Sequence, residues 1–355
     1  MGDINLDDLQ TYSKYDTQDM LKRIKELPLQ CRRAWREVQE FSLPEDYSSM
    51  EKIVILGMGG SAIGGDLVRT LAQLEADVPV IIHRDYGLPH YVDERTLLIA
   101  SSYSGDTEEV VSAFEPALKT GARKLVITTG GKLNELAEAN NIPVYKFDYQ
   151  SQPRAALGYS FIPILGVLQK LGFLPDKSAG VNEAINVMEK LITELDEKSP
   201  LSGNPAKQTA RRLQRKLTVI YGAGILSEVA HRWKTQINEN SKAWAFHEVF
   251  PELNHNATVG FPFPPEIVDK IRVLMLRSPL FSQRLNIRYE VTAELLERID
   301  VAYEYLDSVG ESPISQMMSL IMMGDFVSYY LGILNCVDPT PVDVISYLKD
   351  RLAKG

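Results

Sequence analysis

At 355 residues with 45% apolar side chains, the chain exceeds what one hydrophobic core ordinarily supports and is rich enough for two compact domains. Its 38 Lys+Arg against 47 Asp+Glu give a net charge of −9 with no long basic run, which excludes a nucleic-acid or anionic-membrane surface and points to a small ligand. With only Cys31 and Cys336, five scattered histidines, an acidic polar N-terminus and no uninterrupted apolar stretch near ~18 residues, neither a disulfide framework, a structural zinc, a membrane span nor an export signal is expected, and the expected compartment is the cytoplasm.

Met20, Leu21, Ile24, Leu27, Cys31, Ala34, Trp35 and Val38 recur at helical spacing, which predicts an N-terminal helical extension, residues 1–44, packed onto the first domain. Strands follow at Lys52–Leu56, Pro79–His83, Thr96–Ala100, Lys124–Thr128 and Pro143–Phe147. They alternate with helices near Ala62–Gln73, Thr107–Lys119, Asn134–Asn140 and Ala155–Leu171, a pattern that predicts a doubly wound parallel sheet over 45–175. Gly121 and Gly172 stand where helix C-caps are expected. A helix over Val181–Glu197, bounded by Pro175 and a Ser/Pro/Gly stretch ending at Pro205, reads as a connection over 176–205.

From Leu217 the plan repeats over 206–355 in a degraded form. An apolar strand ends in Gly222-Ala223-Gly224 and a helix runs from Leu226 to Ile237. Further strands are expected at Ala243–Phe246, Ile271–Leu276 and Val301–Tyr305, with helices near Ile287–Arg298 and Ile314–Leu334. The fold class is therefore α/β, with two similar doubly wound domains.

Two turns in the first half carry a chemical signal. Gly57-Met58-Gly59-Gly60-Ser61-Ala62-Ile63-Gly64-Gly65 joins a buried strand to a helix, so bare backbone N–H groups face a ligand and the helix start adds about half a positive charge. After the third strand, Ser101-Ser102-Tyr103-Ser104-Gly105-Asp106-Thr107 puts hydroxyls at the start of another helix, which Asp106 or Thr107 can cap. Together the loops predict a cradle for one small phosphate ester. Taken alone, the first turn also satisfies the dinucleotide fingerprint G-x-G-x-x-G/A, with Asp85 as a loose candidate for the ribose acid, and a purely steric glycine turn is a third reading. In the second half the loop equivalent to the hydroxyl loop reads Arg277-Ser278-Pro279-Leu280-Phe281; Pro279 removes a donor and bulky groups replace small ones, so that half should hold no phosphate of its own.

The two loops and the doubled domain resemble the sugar isomerase (SIS) domain, with its flavodoxin-like parallel sheet, and within it the bifunctional phosphoglucose/phosphomannose isomerases, from about Lys52 to Lys349. The resemblance implies that Gly59, Gly60, Ser61, Ser102, Ser104 and Thr107 bind the sugar phosphate. It also matches Gln152-Pro153-Arg154 to the family's arginine segment, Asn238-Glu239-Asn240 to its catalytic glutamate, Asn254-His255-Asn256 to its histidine and Leu348-Lys349 to its C-terminal lysine. It further implies a homodimer whose histidine comes from the partner subunit, and an aldose–ketose isomerase needing no metal or organic cofactor.

The chemistry suits these residue types. Moving a proton between C2 and C1 of a sugar phosphate needs a base, for which Glu239 serves, though alone it reads as a solvated helix-end carboxylate. Opening the sugar ring needs a group that gives and takes protons near neutrality, and histidine is the residue type that does so, which offers His255 for the role. Lys349, by itself a solvent-facing lysine, is placed by the resemblance near the ring oxygen. Arg154, otherwise a surface arginine, can offset the enediolate charge or hold Glu239 ionised. A non-catalytic sugar-phosphate sensor and a nicotinamide-dependent oxidoreductase stay open as alternatives.

Overall fold

The computed structural model describes residues 4–352. The N-terminal helices are α1 (Leu9–Tyr15), α2 (Met20–Lys25) and α3 (Leu27–Glu40). Contacts divide the chain into two compact units.

One unit, Glu26–Met188 with Gly310–Gln316, is built on a five-stranded parallel sheet. Its strands are β1 (Lys52–Leu56), β2 (Val80–His83), β3 (Thr96–Ser101), β4 (Arg123–Thr128) and β5 (Val144–Lys146). Its helices are α3, α4 (Gly59–Glu75), α5 (Glu108–Ala117), α6 (Gly131–Ala139), α7 (Leu157–Lys170) and the first part of α8 (Ser178–Leu195). The order β2-β1-β3-β4-β5 sets β1 beside β3 with Leu56 opposite Ala100. Every residue of β3 is buried, and β1 is buried from Ile53 on, the apolar pattern of strands covered by helices on both faces. The strand order reverses at β1/β3, and open α/β sheets bind ligands beyond the carboxyl ends of their strands at that point. Both candidate phosphate loops leave from there.

The other unit comprises the residues up to Lys25, Glu189–Val309 and the residues from Met317 on. It contains α9 (Pro205–Leu213), β6 (Leu217–Ala223), α10 (Ser227–Ser241), β7 (Ala245–Phe250), α11 (Ala257–Gly260) and β8 (Ile271–Arg277). These are followed by α12 (Gln283–Glu297), β9 (Ala302–Asp307), most of α13 (Pro313–Leu334) and α14 (Asp343–Leu352). Its four parallel strands run β7-β6-β8-β9, the same order without a fifth strand. By length and composition α13 is apolar enough to cross a membrane, but its apolar stretch is buried in protein, as in a core helix.

This division differs from the sequence reading at both ends. The extension over 1–44 splits. Tyr12 of α1 packs with Tyr329 and Tyr330 at ring distances of 6.1 and 6.0 Å, whereas α3 lies on α7. A Cβ at Gly158 would come within 2.5 Å of the Gln30 side chain and one at Gly166 within 2.3 Å of Val38, so the two glycines let α3 and α7 touch. The 176–205 connection is not separate either, since the boundary falls between Met188 and Glu189, inside α8. Gly172 does end its helix in the left-handed region, at φ +79°, whereas Gly121 is not left-handed, and a Cβ there would come within 2.9 Å of Glu94 Cβ.

Candidate functional site

The β1–α4 and β3–α5 turns meet in the β1–β5 unit. Helix α4 starts at Gly59, in the left-handed region at φ +48°, and no side chain caps it. Ser61 is buried, and its Oγ accepts the N–H of Tyr103 at 3.1 Å, which ties the glycine turn to the hydroxyl loop. Within that loop Ser102 Oγ and Thr107 Oγ1 share a hydrogen bond of 2.8 Å, and Ser102 Oγ also takes the Gly105 N–H at 3.1 Å. Ser104 is exposed, and its Oγ takes the Asp106 N–H at 3.2 Å. Thr107 occupies the N-cap position of α5 but does not cap it, and its hydroxyl turns instead to Ser102. Two helix starts without side-chain caps therefore stand over adjacent strands, the arrangement that favours an anion.

A third turn, after β4, holds the hydroxyl loop in shape. Thr129 donates to the Tyr103 carbonyl through both its N–H (3.1 Å) and its hydroxyl (2.8 Å), and Lys132 N–H reaches Asp106 at 2.8 Å. Gly105 is at φ +77°, and a Cβ there would fall 1.8 Å from the Gly130 carbonyl, so any other residue would push the two turns apart. The Thr-Thr-Gly-Gly run at 128–131 was the available sequence signal for this buttress.

Arg154 belongs to the same cluster. It sits 4% exposed in a single 3₁₀ turn, Pro153–Ala155, ahead of α7. A Cβ at Gly60 would lie 2.8 Å from Pro153 and 2.9 Å from the Arg154 nitrogen, so Gly60 is small because the arginine segment rests on it. Tyr103, which sequence reasoning passed over, spans to the segment just before it, donating to the Tyr149 carbonyl and accepting the Ser151 N–H at 2.8 Å.

The three remaining candidates lie in the β6–β9 unit. Glu239 is half-buried in the last turn of α10. Beside it Lys242, left-handed at φ 52°, closes the helix, with its Nζ on the Glu239 carbonyl at 2.6 Å and the Pro339 carbonyl at 3.0 Å. The inner face of α10 is fixed to α13 by polar contacts. Arg232 pairs with buried Asp325 at 2.8 Å, Gln236 donates to the same carboxylate at 2.8 Å, and Asn240 reaches Ser328 at 3.0 Å. His255 is exposed in the 3₁₀ turn Glu252–His255 after β7. Its neighbours are held: Asn254 bonds Thr292 at 2.9 Å and Arg288 at 3.1 Å, and Asn256 bonds Glu252 at 2.9 Å. Lys349 is exposed on α14.

The dinucleotide alternative does not fit this sheet. Its two-halved binding fold has strand order 3-2-1-4-5-6, whereas β2-β1-β3-β4-β5 is the flavodoxin-like order. Asp85 is exposed and accepts the N–H of Tyr86 at 2.7 Å.

Comparison with known proteins agrees with the geometry. Residues 202–352 match the family described as bacterial phospho-glucose isomerase C-terminal SIS domain. The chain is 42% identical over 94% of its length to the bifunctional phosphoglucose/phosphomannose isomerase of Caldicellulosiruptor bescii, 99% of which is covered. It is 35% identical over 86% of its length to the enzyme of the same name from Thermoplasma acidophilum, 91% of which is covered. Among solved structures, a hypothetical protein from Thermus thermophilus superposes with a TM-score of 0.74 at 17% identity, covering 98% of this chain and 93% of that one, a likeness of fold. By sequence relationship, by two parallel sheets of flavodoxin-like order and by the paired loops at the first switch point, the chain belongs to the family of bifunctional phosphoglucose/phosphomannose isomerases.

Proposed function

We propose that this protein interconverts glucose 6-phosphate and mannose 6-phosphate with fructose 6-phosphate by proton transfer through a cis-enediol. The observation that carries this reading is the pair of side-chain-uncapped helix starts at the β1/β3 switch point, furnished with Ser61, Ser102 and Thr107, in a chain of this family. In the proposal Gly59, Gly60, Ser61, Ser102, Ser104 and Thr107 hold the phosphate. His255 and Lys349 act at the ring oxygen and O1 to open the sugar, with His255 giving a proton to one oxygen and taking one from the other. Glu239 then removes the C2 proton and returns it to C1 while a proton passes from O2 to O1, and Arg154 offsets the negative charge that gathers on the enediolate oxygens in between. Removing the C2 proton erases the stereocentre that separates the glucose and mannose epimers, so one base can serve both.

The same reading takes the protein to be a cytoplasmic homodimer of glycolysis and gluconeogenesis, with the partner subunit's His255 serving each site. Supporting the compartment, both cysteines are free thiols, Cys31 being buried. The test is a coupled assay of fructose 6-phosphate formation. Both epimers should be converted, unphosphorylated glucose should be a poor substrate, and prolonged EDTA treatment should leave turnover intact because no step calls for a metal ion. Activity lost on chelation and restored by a divalent cation would overturn the mechanism. A nicotinamide absorbance change without coupling enzymes would overturn the reaction class.

A further inference from the structure

Gln30 lies on α3, in the N-terminal stretch whose role the sequence leaves open, and is 2% exposed. Its neighbours on the buried face of α3 are Leu27, Cys31, Ala34 and Val38, so packing alone would be served by an apolar side chain. A buried primary amide is costly unless both of its ends are paired, and this one is paired throughout. Nε2 donates to the Ala155 carbonyl at 2.8 Å and to the Tyr149 hydroxyl at 3.0 Å, while Oε1 accepts the Gly158 N–H at 3.1 Å. Two of those partners follow Arg154 closely in the chain. Ala155 ends the 3₁₀ turn that holds Arg154, and Gly158 is the second residue of α7 just beyond. The third, Tyr149, donates to Glu26 of the same N-terminal stretch at 2.7 Å, and its carbonyl is held by Tyr103 of the hydroxyl loop. Since Gly60 supports the arginine turn from the phosphate-loop side, Gln30 and Gly60 grip one short segment from two directions.

We propose that Gln30 is a positioning residue for Arg154: its amide fixes the Pro153–Ala155 turn and thereby the guanidinium that balances enediolate charge. The inference rests on the isomerase reading above and goes beyond it by giving α3 a part in turnover. A group that acts chiefly on the transition state shows its misplacement in kcat more than in KM.

The experiment is a double-mutant cycle with fructose 6-phosphate as substrate and near-ultraviolet circular dichroism as the check on folding. Gln30→Met, close in size and without hydrogen-bonding capacity, should lower kcat by about 10–100-fold with KM changed by less than about 3-fold. In an Arg154→Ala background the same substitution should change kcat by less than about 2-fold, because the group it positions is gone. Should Gln30→Met fail to fold, Tyr149→Phe at a half-buried position tests the same link, with an expected loss of about 2–5-fold that also vanishes in the Arg154→Ala background. A near-wild-type kcat in folded Gln30→Met, or an equal loss in both backgrounds, overturns the proposal. A wild-type protein inert toward both hexose 6-phosphates would instead overturn the functional reading beneath it.

Discussion

The two sheets share a strand order around their central pair, β2-β1-β3-β4 in one unit and β7-β6-β8-β9 in the other, yet their loops at the switch point are furnished in opposite ways. Over β1 and β3 the hydroxyls of Ser102 and Thr107 bond each other and both helix starts go without a side-chain cap. After β8 the groups are turned inward, although α10 after β6 also starts without a side-chain cap. Ser278 Oγ takes the N–H of Leu280 at 3.0 Å, Ser282 Oγ caps α12 through Leu285 N–H at 3.3 Å, and Phe281 packs on Tyr289 at a ring distance of 5.6 Å and passes within 3.8 Å of where a Cβ on Gly224 would stand. A duplicated fold has thus kept its scaffold in both units, while the second has used its loop donors and space on itself. In the proposed function the second unit contributes Glu239, His255 and Lys349.

If the units are divided in this way between chemistry and phosphate, the largest effect belongs to the proposed base. Glu239→Gln keeps shape and hydrogen bonding but removes basicity, and should lower kcat by about 10²–10⁴ with KM little changed. Steady-state kinetics on fructose 6-phosphate decide it, and turnover near wild type would break the assignment. The complementary change in the other unit should act on binding. Ser102→Ala removes a hydroxyl that already has two partners in the loop, and the loss of a bond to a charged group, about 1.5–3 kcal/mol, should appear as a dissociation constant raised about 10–150-fold for fructose 6-phosphate and for inorganic phosphate alike. Calorimetric titration giving an unchanged constant would show that the loop holds no phosphate.

The sequence carried the strands well because their apolar runs are what a doubly covered parallel sheet demands, and β1 falls on Lys52–Leu56 in both readings. Strand β7 was placed too early. Lys242 leaves α10 in the left-handed region, so the chain joins the sheet only at Ala245 and stays in it to Phe250. The two candidate phosphate loops are legible as glycine- and hydroxyl-rich strand-to-helix turns, a pattern whose glycine turn alone also suits a dinucleotide or a purely steric role. What could not be read is the polar interior. Arg232, Gln236 and Asn240 recur every fourth residue on α10, a spacing that in sequence looks like a solvated helix face but here meets Asp325 and Ser328 of α13. Gln30 escaped notice for the same reason, since its partners lie more than a hundred residues away.

Acid should act on the second unit through a group unrelated to the proposed chemistry. Burial, followed by the charge of neighbouring His231, pushes the His247 imidazole down to about 4, and the two rings stack at 4.6 Å while Glu228 bonds His231 at 3.2 Å. Because the folded pKa lies below the ordinary value, the unfolded chain binds the proton more readily. Stability on this account is full above about pH 6.5 and is lost as pH falls toward 4. The ring is only half-buried, so after solvent screening the loss should be on the order of 1–2 kcal/mol. Urea unfolding followed by the fluorescence of buried Trp233 should show a lower midpoint at pH 5 than at pH 7.5, and His247→Gln should narrow that gap. An unchanged gap in the variant would assign the acid sensitivity elsewhere.

The smallest effect separates the two units most cleanly, because it compares one functional group in one place. Thr107 and Ser282 both stand at the N-cap of the helix that follows the third strand of their sheet. Ser282 makes the cap, its oxygen satisfying an N–H that the first turn would otherwise leave without a helical partner, and Ser282→Ala should therefore cost about 1 kcal/mol of stability, within the usual 0.5–2 kcal/mol for such a change. It should leave the affinity for phosphate untouched. Thr107 makes no cap, so Thr107→Ala should cost less stability than the serine change while weakening phosphate binding by the amount expected for a hydroxyl bond to an anion. Paired measurements of urea midpoint and phosphate affinity on the two variants give four numbers, and the expected pattern is crossed: stability falls in one and affinity in the other. If both variants lost stability equally and neither lost affinity, the hydroxyls would be doing the same structural job in both units, and the contrast between a ligand-facing loop and a self-satisfied one would fall with them.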